Sequence, residues 1–277
     1  PIELGPAVFD GRSGRLSRLG ALELGGPVLD VWRAPLENDR GQGPRNTMAA
    51  TWKAVGLDRM LHRTDSVDLA GNALVVISRT APAAHGIGLR TVFTWTSVGD
   101  CLDLEVAVEP EGIWRATPIG NHDVWLPRLG LRLALPGSMA QAEWFGRGPG
   151  ETYTDSLAAS RVGRFAASID DLQVNYPVPE ENGNHVDTRW LRVTGPDVPA
   201  LLVTGAPHFD FTLRRWTSEH LESARHPHDL ADSGRVWLNV DHAQQGLGSA
   251  ACGPAIPARY RVEPEPTRFG VRFSAGE

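Results

Sequence analysis

The sequence predicts an all-β protein, a large two-sheet antiparallel sandwich, on three observations. Apolar and polar residues alternate with a period of two, glycine and proline interrupt the chain at short intervals, and helix signals are sparse. The 30 glycines and 21 prolines among 277 residues are too many for a helical bundle, yet no stretch is repetitive enough for a fibrous or low-complexity chain. Many turns between short strands account for them. Without helices alternating between the strands, a parallel sheet has no crossovers, so antiparallel sheets packed face to face are expected.

In chain order, the first regular element is a short surface helix, with Met48, Trp52, Val55 and Met60 on one face after Thr47, interrupted by Gly56. Strands follow over Leu74 to Ile77 and Leu89 to Trp95, bounded by turn residues. Leu102, Leu104, Val106 and Val108 alternate with Asp103 and Glu105 in the next. The clearest strand is Leu129, Leu131, Leu133 and Leu135 interleaved with Gly130, Arg132 and Ala134, which reads as half-buried. Ala200 to Thr204 and the alternating Phe209, Phe211 and Leu213 read as two more strands. One or two helical turns are expected over Ser218 to Arg225, with Ser218 as the cap and Glu222 reaching back to it. Val236, Leu238 and Val240, then Phe269, Val271 and Phe273, complete the set. Pro136 and Gly137 are the one place where the chain could divide, but strands lie close on both sides, so residues 1–277 are expected to form one domain.

A formal charge of -6 lacks the basic footprint that nucleic acid or an anionic membrane requires, and neutral partners are favoured. No apolar run approaches the ~20 residues of a membrane-spanning helix. Cys101 and Cys252 make neither a disulfide framework nor a metal-ligand spacing, which fits a reducing compartment and a cytoplasmic location. Asp241 and His242 are adjacent and have no third ligand at a recognisable spacing, so no metal site is expected. The chain begins at Pro1 instead of Met, and the expectation is a processed or excised chain that continues before residue 1.

Four segments carry more than composition. They are Trp32-Arg33-Ala34-Pro35-Leu36-Glu37-Asn38-Asp39-Arg40-Gly41, Gly146-Arg147-Gly148-Pro149-Gly150-Glu151-Thr152-Tyr153-Thr154-Asp155, the run from Tyr176-Pro177 through Glu180-Glu181-Asn182-Gly183-Asn184-His185 to Arg189-Trp190, and Asp241 with Gly246-Leu247-Gly248 through Cys252-Gly253-Pro254. Each alone is a weak pattern, because Gly, Pro and Asn recur in loops. Together and in this order they resemble the small-chain, carboxy-terminal region of multidomain β-galactosidases of the glycoside hydrolase family 2 type.

That resemblance implies a supersandwich like that of galactose mutarotases. It also implies a parent protein that hydrolyses terminal β-D-galactosides, and a catalytic barrel elsewhere in the same chain that holds both catalytic glutamates. The fragment alone is then expected to be inactive. The family's magnesium and sodium ligands lie largely outside this region, so no cofactor is expected within it, and large members commonly form homo-oligomers. Glu180 and Glu181 do not replace the missing pair, since neighbours on an extended chain point to opposite faces while a retaining glycosidase needs carboxyls ~5 Å apart. The resemblance makes Cys252, Glu181, Asn182 and His185 the candidates for lining the substrate cleft. Cys252 corresponds to a position at the barrel's mouth where some members place Trp, and a thiol cannot stack on a sugar as an indole does.

Plainer readings stand beside these. Cys252 as a small buried thiol, Glu180 and Glu181 in a solvated turn, and Asn38 and Asp39 closing a turn on their own backbone are all compatible with the sequence. Arg147 and Glu151 are a candidate ion pair, and Gly41 to Ala50 corresponds to a segment bordering the family's active site. Two other functions remain open: a free-standing carbohydrate-binding module, and an aldose 1-epimerase using His122, His185 or His208 with Glu181 as general acid and base. If the domain docks on a barrel, an exposed apolar face is also expected.

Overall fold

The alternating leucines Leu129, Leu131, Leu133 and Leu135 project from one strand into the interior, each no more than 2% exposed. They do so in a computed structural model that describes residues 1–41, 47–116, 122–248 and 256–276, apart from the side chains of Ala116 and His122. The same parity governs the neighbouring strands. Leu238 and Val240 and, opposite them, Phe211 and Leu213 face the same core.

Seventeen strands are described. The amino-terminal four are β1 (Ile2–Leu4), β2 (Ala7–Phe9), β3 (Leu16–Leu19) and β4 (Leu22–Asp30). A block of long hairpins follows: β5 (Met60–Ala70), β6 (Ala73–Pro82), β7 (Gly88–Val98) and β8 (Cys101–Glu111). After a small ribbon of β9 (Arg115–Ala116) and β10 (His122–Asp123) come β11 (Arg128–Pro136), β12 (Gln141–Gly148), β13 (Arg161–Ser168) and β14 (His185–Gly195). The last three are β15 (Val198–Arg214), β16 (Arg235–Gln244) and β17 (Thr267–Gly276). Helices are short: α1 (Glu37–Arg40), α2 (Met48–Ala54) and α3 (Ser218–Ser223).

Hydrogen bonds link fifteen strands in the order β1-β2-β3-β4-β11-β16-β15-β17-β8-β7-β6-β5, with β13-β12-β14 joining at β15. All the pairings are antiparallel. The two ends of this path meet through the core. Phe9 on β2 packs edge-on against Trp95 on β7 with ring centroids 5.2 Å apart, and Thr64 on β5 donates to the Ser13 carbonyl at 3.1 Å. The expected sandwich is therefore built from one folded path whose opposite ends face each other. A single hydrophobic cluster runs from Leu4 to Phe273 and includes residues from both sides of Pro136.

Three local expectations are corrected. The strands read separately over residues 200–204 and 209–213 are one strand, β15, which pairs β17 through Ala200 to Gly205 and β16 through Asp210 to Arg214. Pro207 lies where it changes partner, a place where a missing N–H costs the ladder nothing. Thr217, not Ser218, caps α3, accepting from His220 N–H at 3.3 Å, while Glu222 pairs with Lys53 instead of reaching back. Finally, β11 is not simply half-buried: Arg128 and Gly130, on the face away from the leucines, are buried as well. Strands β1 to β3 are too short for a clear alternation and β5 is polar on both faces, while β4, β12, β13 and β14 are strands beyond those the alternation indicates.

Candidate functional site

Directly after β4 the chain places Arg33 in the interior, fully buried. A buried guanidinium must find acceptors for its fixed fork of donors. Arg33 Nη2 meets both Asp39 oxygens at 2.9 and 3.1 Å, and the two remaining bonds go to the carbonyls of Gln245 and Gly246. Burial pushes the Asp39 carboxyl up, with Arg33 and the Leu36 N–H opposing. Asn38 extends the same grip. Its side-chain amide donates to the carbonyls of Leu247 (3.2 Å) and Gly248 (2.9 Å), so it spans to a distant loop and does not close a turn on itself.

The other side of that loop is held by the second motif. Asp155 accepts the N–H groups of Leu247 and Gly248 at 2.9 and 3.0 Å. A Cβ at Gly246 would sit 2.6 Å from the Asp155 carboxyl carbon, so only glycine admits this approach. Gln245 and Gly246 also donate to the carbonyls of Pro127 and Tyr260. Both edges of the turn Gln245 to Gly248 are thus fixed by charge-assisted bonds. Cys252 follows it and lies outside the described residues, as do residues 42–46 of the Gly41 to Ala50 segment.

The third motif is anchored on the polar face of the central strands. Glu181 is 1% exposed, which rules out a solvated turn at this residue. Its Oε1 accepts from Arg128 at 3.0 Å and from Arg214, and its Oε2 accepts the Ala34 N–H of the first motif at 3.2 Å. Burial alone would raise this carboxyl; Arg214 and Arg128 outweigh it and bring it down to about 2. Glu180 takes a separate partner, the Glu37 N–H at 2.8 Å. Arg128 continues to Asp241 of the fourth motif, Nε to Oδ2 at 2.9 Å.

The remaining candidates are also turned inward. Asn182, 3% exposed, accepts from Val174 N–H and donates to the Glu180 carbonyl. His185, 1% exposed, stacks on Phe211 at 4.9 Å, meets the edge of Trp144, and has the carbonyls of Gly183 and Pro149 as polar partners. Burial pushes its imidazole down to about 4, leaving it neutral. His208 is half exposed and 4.0 Å from Asp187. The expected Arg147–Glu151 pair is not made. Arg147 binds Asp187 at 2.7 Å, and Glu151 accepts from Tyr153, Tyr176 and the Gly183 N–H.

The site therefore works as a clamp, in which four motifs scattered through the sequence converge on one turn and one buried ion network. Glu181 sits in that network, while Asn182 and His185 lie beside it and are engaged by backbone groups and, for His185, by Phe211 and Trp144. The residues missed by sequence reading are Arg128 and Arg214, and Asp155 is in the second motif without its role being foreseen. Their signal was a charge on the polar parity of an otherwise apolar strand, or beside a glycine-rich loop. Among the described residues no group of three His, Cys, Asp or Glu is arranged to hold a metal ion, and no described helix is long and apolar enough to cross a membrane. A groove of about 700 Å³ runs elsewhere, lined by β7, β8 and β17 residues such as Thr94, Asp103, Glu105 and Arg272, none of them in the four motifs.

Comparison with known proteins bears on what the clamp serves. A family model described as β-galactosidase small chain matches residues 6–273. A β-galactosidase of Arthrobacter sp. (strain B7) is 36% identical over 99% of this chain and 28% of its own length. One of Vibrio cholerae is 36% identical over 81% of this chain and 21% of its own. The chain thus spans roughly a quarter of these curated relatives. A solved galactose mutarotase related enzyme of Lactobacillus acidophilus aligns with 98% of this chain and 94% of its own at 8% identity, with a TM-score of 0.46, too low to carry an assignment.

Proposed function

The chain belongs to the β-galactosidase small-chain family, and from that premise we propose that its intact parent hydrolyses terminal β-galactosides while this domain supplies one wall of the substrate cleft and a packing surface for the catalytic barrel. The observation that carries this reading is the clamp on Gln245 to Gly248. A turn held from both sides fixes Gln245 to Gly248 against the first and second motifs, and a cleft wall needs such positioning. Glu181 in turn has a structural role in the same wall, tying the third motif to the first.

The packing surface is the outer face of β12, β13 and β14. Phe145 and Trp190 are register partners there, with Arg189 stacked over Phe145 and Arg164 over Trp190. Phe145 and Val162 are 37% and 45% exposed. Aromatic and arginine side chains of this kind are enriched in interface cores.

Chemistry belongs to the missing part of the parent. Glu180 and Glu181 are bonded to different backbone amides and do not form an acid and nucleophile pair. The test is hydrolysis of a chromogenic β-galactoside by the 277-residue chain and by its full-length parent. Turnover is expected only from the parent; comparable turnover by the isolated chain overturns this division of labour.

A further inference from the structure

The register of β4, β11, β16 and β15 aligns Asp30, Gly130, Asp241 and Asp210 in one row. Directly opposed residues of antiparallel strands project to the same face, so three carboxyls share this row with one glycine. A Cβ at Gly130 would lie 2.0 Å from Asp241 Oδ1, which means the Asp241 carboxylate fills the space that glycine leaves. All three acids are buried, with exposures of 5% for Asp30, 0% for Asp241 and 6% for Asp210.

Their partners are unequal. Asp30 accepts from Asn239 at 2.8 Å and has Arg132 at 3.8 Å and Arg128 at 4.0 Å, and Asp241 holds Arg128 at 2.9 Å. Asp210 accepts the Asp187 backbone N–H at 3.2 Å and has no guanidinium within ion-pair distance among the described residues. Charge counting points the same way. The buried carboxyls are Asp30, Asp39, Glu181, Asp210 and Asp241, against the buried guanidinia Arg33, Arg128 and Arg214 and, from the rim, Arg132, which is shared with Glu219. One buried carboxyl is left without a countercharge, and a lone buried carboxylate is too costly to keep ionised.

We propose that Asp210 is held protonated at neutral pH and acts as a pH-sensitive lock between β14, β15 and β16. Neutral, it closes the carboxyl row; ionised, it repels Asp241 and loosens the strand that leads into the Gln245 to Gly248 clamp. The charged groups around it are Asp241 on β16, Arg128 on β11, Asp30 on β4, Asp187 on β14 with His208 beyond it, and Glu181 with Arg214 behind Arg128. Burial first, and Asp241 next, push the Asp210 carboxyl well above the ordinary aspartate range, and burial lifts Asp241 itself to about 7. Both groups have higher values in the folded than in the unfolded chain. Their contribution to stability is therefore complete below the ordinary aspartate range and is lost as pH rises through the folded values.

This inference goes beyond the cleft-wall reading and does not depend on it, because its test reads the 277-residue chain without substrate. Thermal unfolding of the wild type and of Asp210→Asn is followed from about pH 5 to about pH 9. Asparagine keeps the acceptor for Asp187 N–H and removes the ionisation. The wild-type midpoint is expected to fall more steeply toward the alkaline side than that of the variant, in which only Asp241 still titrates, and amide exchange over residues 240–248 should accelerate with pH beyond the intrinsic rate more in the wild type than in the variant. Parallel pH profiles for the two proteins overturn the lock. Should the variant fail to fold, the carboxyl carbon-13 resonance of Asp210 decides in the wild type alone: a protonated shift at neutral pH supports the proposal and a carboxylate shift overturns it.

Discussion

The central strands β11, β15 and β16 have two buried faces of opposite character. One carries Leu131, Leu133, Phe211, Leu213, Leu238 and Val240, the other Arg128, Asp210, Thr212, Arg214, Asn239 and Asp241. The apolar face is stabilised by leaving water, in proportion to area, and tolerates inexact shape. The polar face must find a named partner for each group, since an unpaired buried charge costs several kcal/mol. The clamp grows from this second face. In this protein the apolar side holds the sandwich together, and the polar side decides where the four motifs meet.

Breaking each face separately tests that division. Arg128→Met leaves the Asp241 carboxyl without its guanidinium and Glu181 with Arg214 alone, with an expected loss of about 3–5 kcal/mol in urea unfolding. It should perturb the polar loops first, visible as amide exchange over residues 176–185 and 241–248. Leu133→Ala on the opposite face should cost about 2–5 kcal/mol through its cavity while leaving exchange in those loops in proportion to global stability. If Arg128→Met behaves as a mild surface change, the polar network is not the constraint described.

Acid sharpens the comparison further. Glu181 is held down to about 2 by Arg214 and Arg128, below the value of an unfolded glutamate. Its contribution is present above the unfolded value and lost as pH falls toward about 2. Glu181→Gln should be less stable than the wild type at neutral pH, with the gap closing in acid; a gap constant with pH would assign the loss to packing alone. The smallest effect belongs to Asp155→Ala, which removes two charge-assisted bonds at a part-buried turn. About 1–3 kcal/mol is expected. In the full-length parent this variant should raise KM more than it lowers kcat, because the turn positions a wall and does no chemistry.

Much of the architecture was legible. Every alternating segment from Leu74 to Phe273 forms a strand, since period two on a pleated backbone fixes which side chains share a face. The family was legible too, from four ordered motifs, and the match over residues 6–273 bears it out. Boundaries and partners were less so. Ser218 was read as a cap because a hydroxyl before a helix suits that role, but it is 3% exposed and 3.4 Å from Arg128, and the neighbouring Thr217 takes the cap. The sequence offers Arg147 and Glu151 as ion-pairing residues within the domain or across an interface, and the partner of Arg147 is Asp187, forty residues away.

Sequence alone determined the all-β class, the parity of the alternating strands, the family and the loops that matter. It could not determine that β11 is covered on both faces, that Glu181 is interior, or that Arg33, Asn38 and Asp155 close on one turn. The physical reason is range. Alternation and capping are set by neighbours a few bonds away, but a charge is assigned its partner only when the fold has brought together residues such as Arg128 and Asp241, 113 positions apart.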